Sequence, residues 1–177
     1  ASKRWVENLQ FRGLIFAHSN WVCPENGQFY PQAEVGMDGA VSAIGARNIL
    51  FDTCAVIHTG MYAMAFGEGC RNCRVENCEL VDLGAGGVKI GHAGSANWQG
   101  ASQRPQGEEA LVSHITVKNC TIAHGGRLHP AAAGGSPADH PGPRGSRATF
   151  LYLHCSLYYV VYLQPVGRSY AGLPFGL

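Results

Sequence analysis

Charge is scarce in this chain. Asp, Glu, Lys and Arg make up 14% of its 177 residues and leave a net charge of +1. Nucleic acid and anionic membrane surfaces call for a basic excess, so neither is expected as a partner. No apolar run is long enough to span a bilayer. No long helical pattern is present either. The opening ASKRWVENLQF lacks an apolar h-region and does not read as a signal peptide, so either a leader has been removed or the chain is a piece of a longer one. A second C-x-x-C is missing as well. Cys70-Arg71-Asn72-Cys73 stands alone, which argues against a zinc or redox motif. The seven cysteines are odd in number, so at least one has no partner within the chain.

Glycine is what the chain has in quantity, with 24 residues, beside an ordinary hydrophobic share of 46%. That balance favours many short strands joined by turns, and the length suits one core-forming domain.

Four segments overlay without a gap: NLQFRGLIFAHSN (8–20), NILFDTCAVIHTG (48–60), NCRVENCELVDLG (72–84) and HITVKNCTIAHGG (114–126). Asn8, Asn48, Asn72 and His114 open the copies. Phe11, Phe51, Val75 and Val117 share the fourth column, and Leu14, Cys54, Cys78 and Cys120 the seventh. The ninth holds Phe16, Val56, Leu80 and Ile122. The eleventh holds His18, His58, Asp82 and His124, and the last Asn20, Gly60, Gly84 and Gly126.

The second and third copies start 24 residues apart, and the other gaps of 40 and 42 fit one repeat plus an inserted loop. A period in the twenties with alternating apolar residues indicates a solenoid. Within each copy the alternation shifts phase once, which makes two strands and a bend. A third strand follows, YAMAF (62–66) in one copy and GGVKI (86–90) in the next, with Met64 over Val88 and Phe66 over Ile90. The pattern predicts an all-β, right-handed parallel β-helix, a pectate-lyase-like solenoid of about four coils with two inserted loops.

Stacking turns each column into a row of like side chains about 4.8 Å apart. Cys54, Cys78 and Cys120 then read as free, buried, small hydrophobes. The Asn column suits a turn, and Gly60, Gly84 and Gly126 are expected to take positive φ at another. The segment DLGAGGVKIG (82–91) is not a phosphate cradle on this reading, because a strand rather than a helix follows its glycines.

The eleventh column places His18, His58, Asp82 and His124 in one row. Asp82 is expected to contact both His58 and His124, raising the imidazole pKa values and staying ionised itself. The alternative is a turn row whose side chains satisfy backbone groups. A flat row suits tetrahedral metal poorly, so no metal is expected there.

Glycoside hydrolysis needs two carboxylates roughly 5 to 10 Å apart. Glu7, Asp52, Glu76 and Glu79 read as solvated surface. Glu25, Glu34 and Asp38 lie in the first insertion (21–38), and Glu108 and Glu109 in the second (92–110). The insertions also carry Trp21, Phe29, Tyr30 and Trp98. Aromatics on loops beside a polar groove suit stacking on sugar rings, or else they cover the repeat edge. Lys89 is expected to point outward beside Asp82, where it could serve as the base of a β-eliminating lyase.

The stretch from Gly45 to Gly91 resembles bacterial right-handed parallel β-helix proteins of the carbohydrate-active group, most nearly sequences around glycoside hydrolase family 141. The motifs are F-x-G-L-x-F at Phe11–Phe16, H-T-G-x-Y-A at His58–Ala63 and D-L-G-A-G-G-V-K-I-G at Asp82–Gly91. The resemblance covers residues 5 to about 131. It implies a secreted or periplasmic enzyme acting on plant-type polysaccharide through carboxylate catalysis, with Asp82 as catalytic residue. His58 and His124 would tune or orient it, while His18, Lys89, Trp21, Tyr30 and Trp98 would bind the glycan. No cofactor is implied, apart from calcium under a lyase alternative. A non-catalytic glycan-binding β-helix is the further alternative.

The repeat stops near Pro130. Residues 131–148 are rich in Pro and Gly, and 149–177 are apolar, aromatic and out of register with the columns. Residues 1–130 are therefore expected to be the β-helix. Residues 131–177 read as an irregular tail, either a linker or the product of a truncated or shifted reading frame. On that reading the second carboxylate of the site is missing, the remainder of a longer β-helix is a partner, and the chain is weakly active or inactive.

Overall fold

Where apolar side chains alternate at period two, the chain forms short strands, and the strands of successive repeats pair in register. The computed structural model describes residues 5–23, 25, 27, 34, 36–91, 109, 112–129, 132, 146–148, 151–153 and 159–160. These residues are all-β with essentially no helix.

One sheet runs β2 (Gln10–Arg12), β6 (Leu50–Asp52), β9 (Arg74–Glu76) and β12 (Ile115–Lys118), every neighbouring pair parallel. A second runs β3 (Ile15–Ala17), β7 (Ala55–Thr59), β10 (Glu79–Leu83) and β13 (Cys120–Ala123), also parallel. A third runs β4 (Gly39–Ala43), β8 (Tyr62–Phe66) and β11 (Val88–Ile90). A short parallel pair joins β1 (Val6–Glu7) to β5 (Ala46–Arg47). Each repeat thus contributes one rung to a stack.

The register follows the sequence columns. Phe11 pairs with Phe51, Phe51 with Val75, and Val75 with Val117. Met64 lies beside Val88, and Phe66 beside Ile90. The Phe11 and Phe51 rings stack with centroids 4.7 Å apart. One core takes side chains from all three sheets, among them Phe51, Val56, Met64, Val75, Leu80, Val88 and Val117. In-register rows of apolar side chains exclude water along the whole stack, which is the main stabilisation of a repeat architecture.

Cys54, Cys78 and Cys120 are free and buried, as their column requires, and so are Cys70 and Cys73. Their thiols donate to nearby carbonyls, Cys78 to Glu76 at 3.1 Å and Cys120 to Lys118 at 3.2 Å. The neighbouring Cys120 thiol, and then burial, push Cys78 up. Burial pushes Cys73 up to about 11. Burial likewise pushes Cys70 up, whereas the hydrogen bond to the Cys78 side chain lowers Cys120.

The turns differ from expectation in one respect. Positive φ was expected at Gly60, Gly84 and Gly126, yet only Gly126 has it among these three. The left-handed residues lie two positions earlier, at His18, His58, Asp82 and His124, with φ of 62°, 53°, 61° and 54°. Asn8, Asn48, Asn72 and His114 take the same conformation at a second bend, and Gly13, Thr53, Asn77 and Asn119 at a third. Asn and Asp reach this region at least cost among residues with a side chain, and a short polar side chain can bond locally there. Gly60 and Gly84 are instead needed for close approach. A Cβ on Gly84 would overlap the Gly60 carbonyl, and one on Gly60 would overlap the Trp21 backbone.

The tail contributes three short strands among its described residues. β14 (Ser146–Ala148), β15 (Leu151–Leu153) and β16 (Tyr159–Val160) pair antiparallel with β13, β12 and β11. The last strand of each of the three larger sheets is thereby paired. The rest of 131–177 lies outside the described residues.

Candidate functional site

The eleventh-column row sits where β3, β7, β10 and β13 end in their left-handed bend. A left-handed residue breaks the alternation, so its side chain leaves the sheet at the corner of the rung. Stacked rungs then set successive corner side chains side by side.

His58 Nδ1 lies 2.5 Å from Asp82 Oδ2. Arg127 Nη1 donates to the other oxygen, Oδ1. The hydrogen bond to His58, reinforced by the Arg127 guanidinium, holds the Asp82 carboxyl below the usual carboxylate range, against the opposing effect of partial burial. An ionised carboxylate only accepts hydrogen bonds, so Nδ1 of His58 carries the proton. In neutral His58 the basic nitrogen is therefore Nε2. The His58 side chain is 50% exposed and that of Asp82 27%, so the pair is open to solvent on one side. His18 lies flat on His58, ring centroids 5.3 Å apart and planes 11° from parallel.

His124 does not make the expected contact. It occupies the fourth corner, and its backbone carbonyl accepts the Leu83 N–H at 2.9 Å. The chain beyond it turns back over the third rung. Gly126 N–H donates to Ala85 O, Arg127 N–H to Leu83 O, and Leu128 and His129 N–H to Gly84 O. That wrap carries the Arg127 side chain onto Asp82, where His124 was expected. The column alignment could not show this, because Arg127 lies outside the aligned repeat. The signal available in sequence was only an Arg shortly after the fourth corner.

Lys89 departs from expectation too. Its position in β11 leaves the core face, but Nζ doubles back and donates to the Met37 carbonyl. The residue is half-buried, and burial lowers its pKa while Asp38 opposes that shift. Four methylenes let the ammonium reach a carbonyl that alternation alone cannot identify.

Trp21 packs edge-on against His129, centroids 4.5 Å apart, over a small cluster of Met37, Tyr62, Ala85 and Ala132. It covers a rung edge in this arrangement. Tyr30 and Trp98, the other aromatics expected to bind sugar, lie outside the described residues, as do Phe29 and Glu108.

Asp52 belongs to a different bend. It accepts from Asn77 at 2.8 Å and pairs with Arg12 at 3.2 Å. Among the described residues no second carboxylate is bonded into the His58–Asp82–Arg127 row, and no three His, Cys, Asp or Glu side chains converge as a metal site would require. The row can hold a fixed negative charge, exchange a proton at His58, and offer donors to hydroxyl groups. No protein-family model, curated protein or solved structure matches the chain.

Proposed function

We propose that the stacked repeat is a right-handed parallel β-helix and that the protein is a secreted or periplasmic glycoside hydrolase, or a fragment of one, acting on a plant-type polysaccharide. The observation that carries this reading is Asp82, held ionised between His58 and Arg127 on a solvent-facing row. Glycoside hydrolysis asks for two carboxyl groups, and on this reading the second lies outside the His58–Asp82–Arg127 row. Asp82 supplies the ionised carboxylate. His58 and Arg127 orient it, and His18 and His124 flank the pair as donors to sugar hydroxyls. An extended glycan lying along the stack would meet one corner side chain per rung.

A second reading, a β-helix that grips glycan without cleaving it, draws on two observations. Both Asp82 oxygens are already engaged, and all four row positions serve a backbone bend. The elimination alternative, with calcium, has less support, since the Lys89 ammonium is turned onto Met37.

A panel of pectic and hemicellulosic oligosaccharides separates these readings. New reducing ends without ultraviolet absorbance support hydrolysis. Products that absorb, as unsaturated sugars do, would replace it with elimination. Retention of an oligosaccharide without any product would leave only the binding reading, and neither product nor retention would remove the glycan reading altogether.

A further inference from the structure

Both oxygens of Asp82 are taken, one by His58 Nδ1 and the other by Arg127. A carboxylate held in this way orients an imidazole and stabilises its charged form. It takes up a further proton poorly, since the same contacts hold its pKa down. The basic atom that the row presents is therefore His58 Nε2. With the proton on Nδ1, Nε2 carries the free lone pair of the neutral ring. Among the described residues Nε2 has no protein partner, and the His58 side chain is 50% exposed.

Three rungs fix this base. The first sets His18 flat against the His58 ring, and the third sets Asp82 at Nδ1. The turn after the fourth corner brings Arg127 to the far oxygen. β7 and β10, which carry His58 and Asp82, pair in register through fully buried Val56 and Leu80. The pair thus rides on packed strands rather than on a loop, which keeps its geometry precise. A guanidinium has five N–H donors, and among the described residues Arg127 engages Asp82 through Nη1 alone. Its side chain is 62% exposed, so donors remain beside the imidazole.

We propose that His58 is a general base and that the row hydrolyses carboxylic esters, the substrate class being acyl groups carried on a glycan. A base beside a cationic donor serves an electrophile that gathers negative charge on oxygen as water adds. An ester carbonyl is such an electrophile, whereas a glycosidic acetal is not. Water at Nε2 gives its proton to that nitrogen while its oxygen bonds to the carbonyl carbon. The carbonyl electron pair moves onto oxygen, where Arg127 N–H groups stabilise it, and ionised Asp82 stabilises the imidazolium. The tetrahedral adduct then breaks its bond to the alcohol oxygen, which leaves with the Nε2 proton. One carboxylic acid and one alcohol result, and His58 is neutral again. That the ester sits on a glycan rests on the hydrolase reading above, while the ester chemistry does not.

Release of 4-nitrophenol from 4-nitrophenyl acetate, and of acetate from acetylated xylo-oligosaccharides, tests this with the full chain, reducing ends being counted in the same samples. Both esters are expected to turn over above the buffer blank, at a rate that falls in acid as Nε2 is protonated. Asp82→Asn is expected to slow both by about 100-fold or more, because the His58 proton is no longer held on Nδ1. His58→Ala is expected to abolish the turnover and added imidazole to restore part of it, a rescue that a merely structural His58 would not show. Every other histidine stays in place in that variant, so background cleavage by surface imidazole is subtracted. If His58→Ala does not fold, Asp82→Asn and the pH profile carry the test. No ester turnover above the blank overturns the proposal, and so does turnover that His58→Ala or Asp82→Asn leaves unchanged. Turnover of 4-nitrophenyl acetate alone overturns the glycan ester as substrate. Reducing ends without ester cleavage overturn this proposal and support the hydrolase reading, and acetate without reducing ends does the reverse.

Discussion

His58 and Asp82 meet across one rung of the stack, Nδ1 to Oδ2 at 2.5 Å, although 24 residues separate them in sequence. The repeat period makes the contact. Both residues occupy the same corner of successive rungs, so the pairing depends on register alone. Asp82→Asn keeps the shape but removes the charge that fixes the His58 proton on Nδ1. Nitrogen-15 NMR of the His58 ring is expected to show the proton on Nδ1 in neutral wild type and a tautomer mixture in the variant. The same mixture in both proteins would mean that the contact does not govern the imidazole.

Acid should weaken this part of the structure in a defined window. The Asp82 pKa is lowered in the folded state. Its stabilising contribution is therefore complete above the unfolded value, about 3.9 for an ordinary Asp, and is lost as pH falls through the folded value. The melting-temperature gap between wild type and Asp82→Asn is expected to be constant near neutrality and to close below that value. A gap that instead widened with acidification would contradict the assignment.

Gly84 tests the close approach of rungs. A Cβ there overlaps the Gly60 backbone, which cannot move aside as a flexible side chain can. Gly84→Ala is expected to cost about 2 kcal/mol or more in denaturant unfolding. Its cost should exceed that of Gly13→Ala, since Gly13 is left-handed but has open space around it. Equal losses would mean that the rungs can separate locally.

The thiols report the packing of the core. Cys54, Cys78 and Cys120 are expected to resist a thiol reagent in the native state and to react on unfolding, while exposed Cys23 reacts at once. Peptide mapping should find no bridge between Cys54 and Cys78. Such a bridge would show that the column is not the free-thiol row described above.

Much of this fold was legible because a parallel stack writes its register into the sequence. Columns such as Phe11–Phe51–Val75–Val117 keep their character because each member fills the same slot in its rung. The bend at Gly13, Thr53, Asn77 and Asn119 shows in sequence as the phase shift between two strands, but its left-handed residues do not, since these four share a backbone conformation rather than a side-chain type. The site was legible only in part. His58 and Asp82 fell in one column and do touch. Arg127 reached Asp82 through a turn outside the repeat, and Lys89 found a carbonyl at the end of an insertion. Periodicity specifies which face a residue leaves from, and a long side chain can then end elsewhere.

The central claim is that the His58–Asp82 pair performs chemistry on a glycan. Release of reducing ends from the pectic and hemicellulosic panel, by wild type and by Asp82→Asn at matched folded concentration, tests it most directly. Hydrolysis by wild type that falls by about 100-fold or more in the variant is the expected result, as loss of the catalytic carboxylate requires. Equal rates in the two proteins would contradict it.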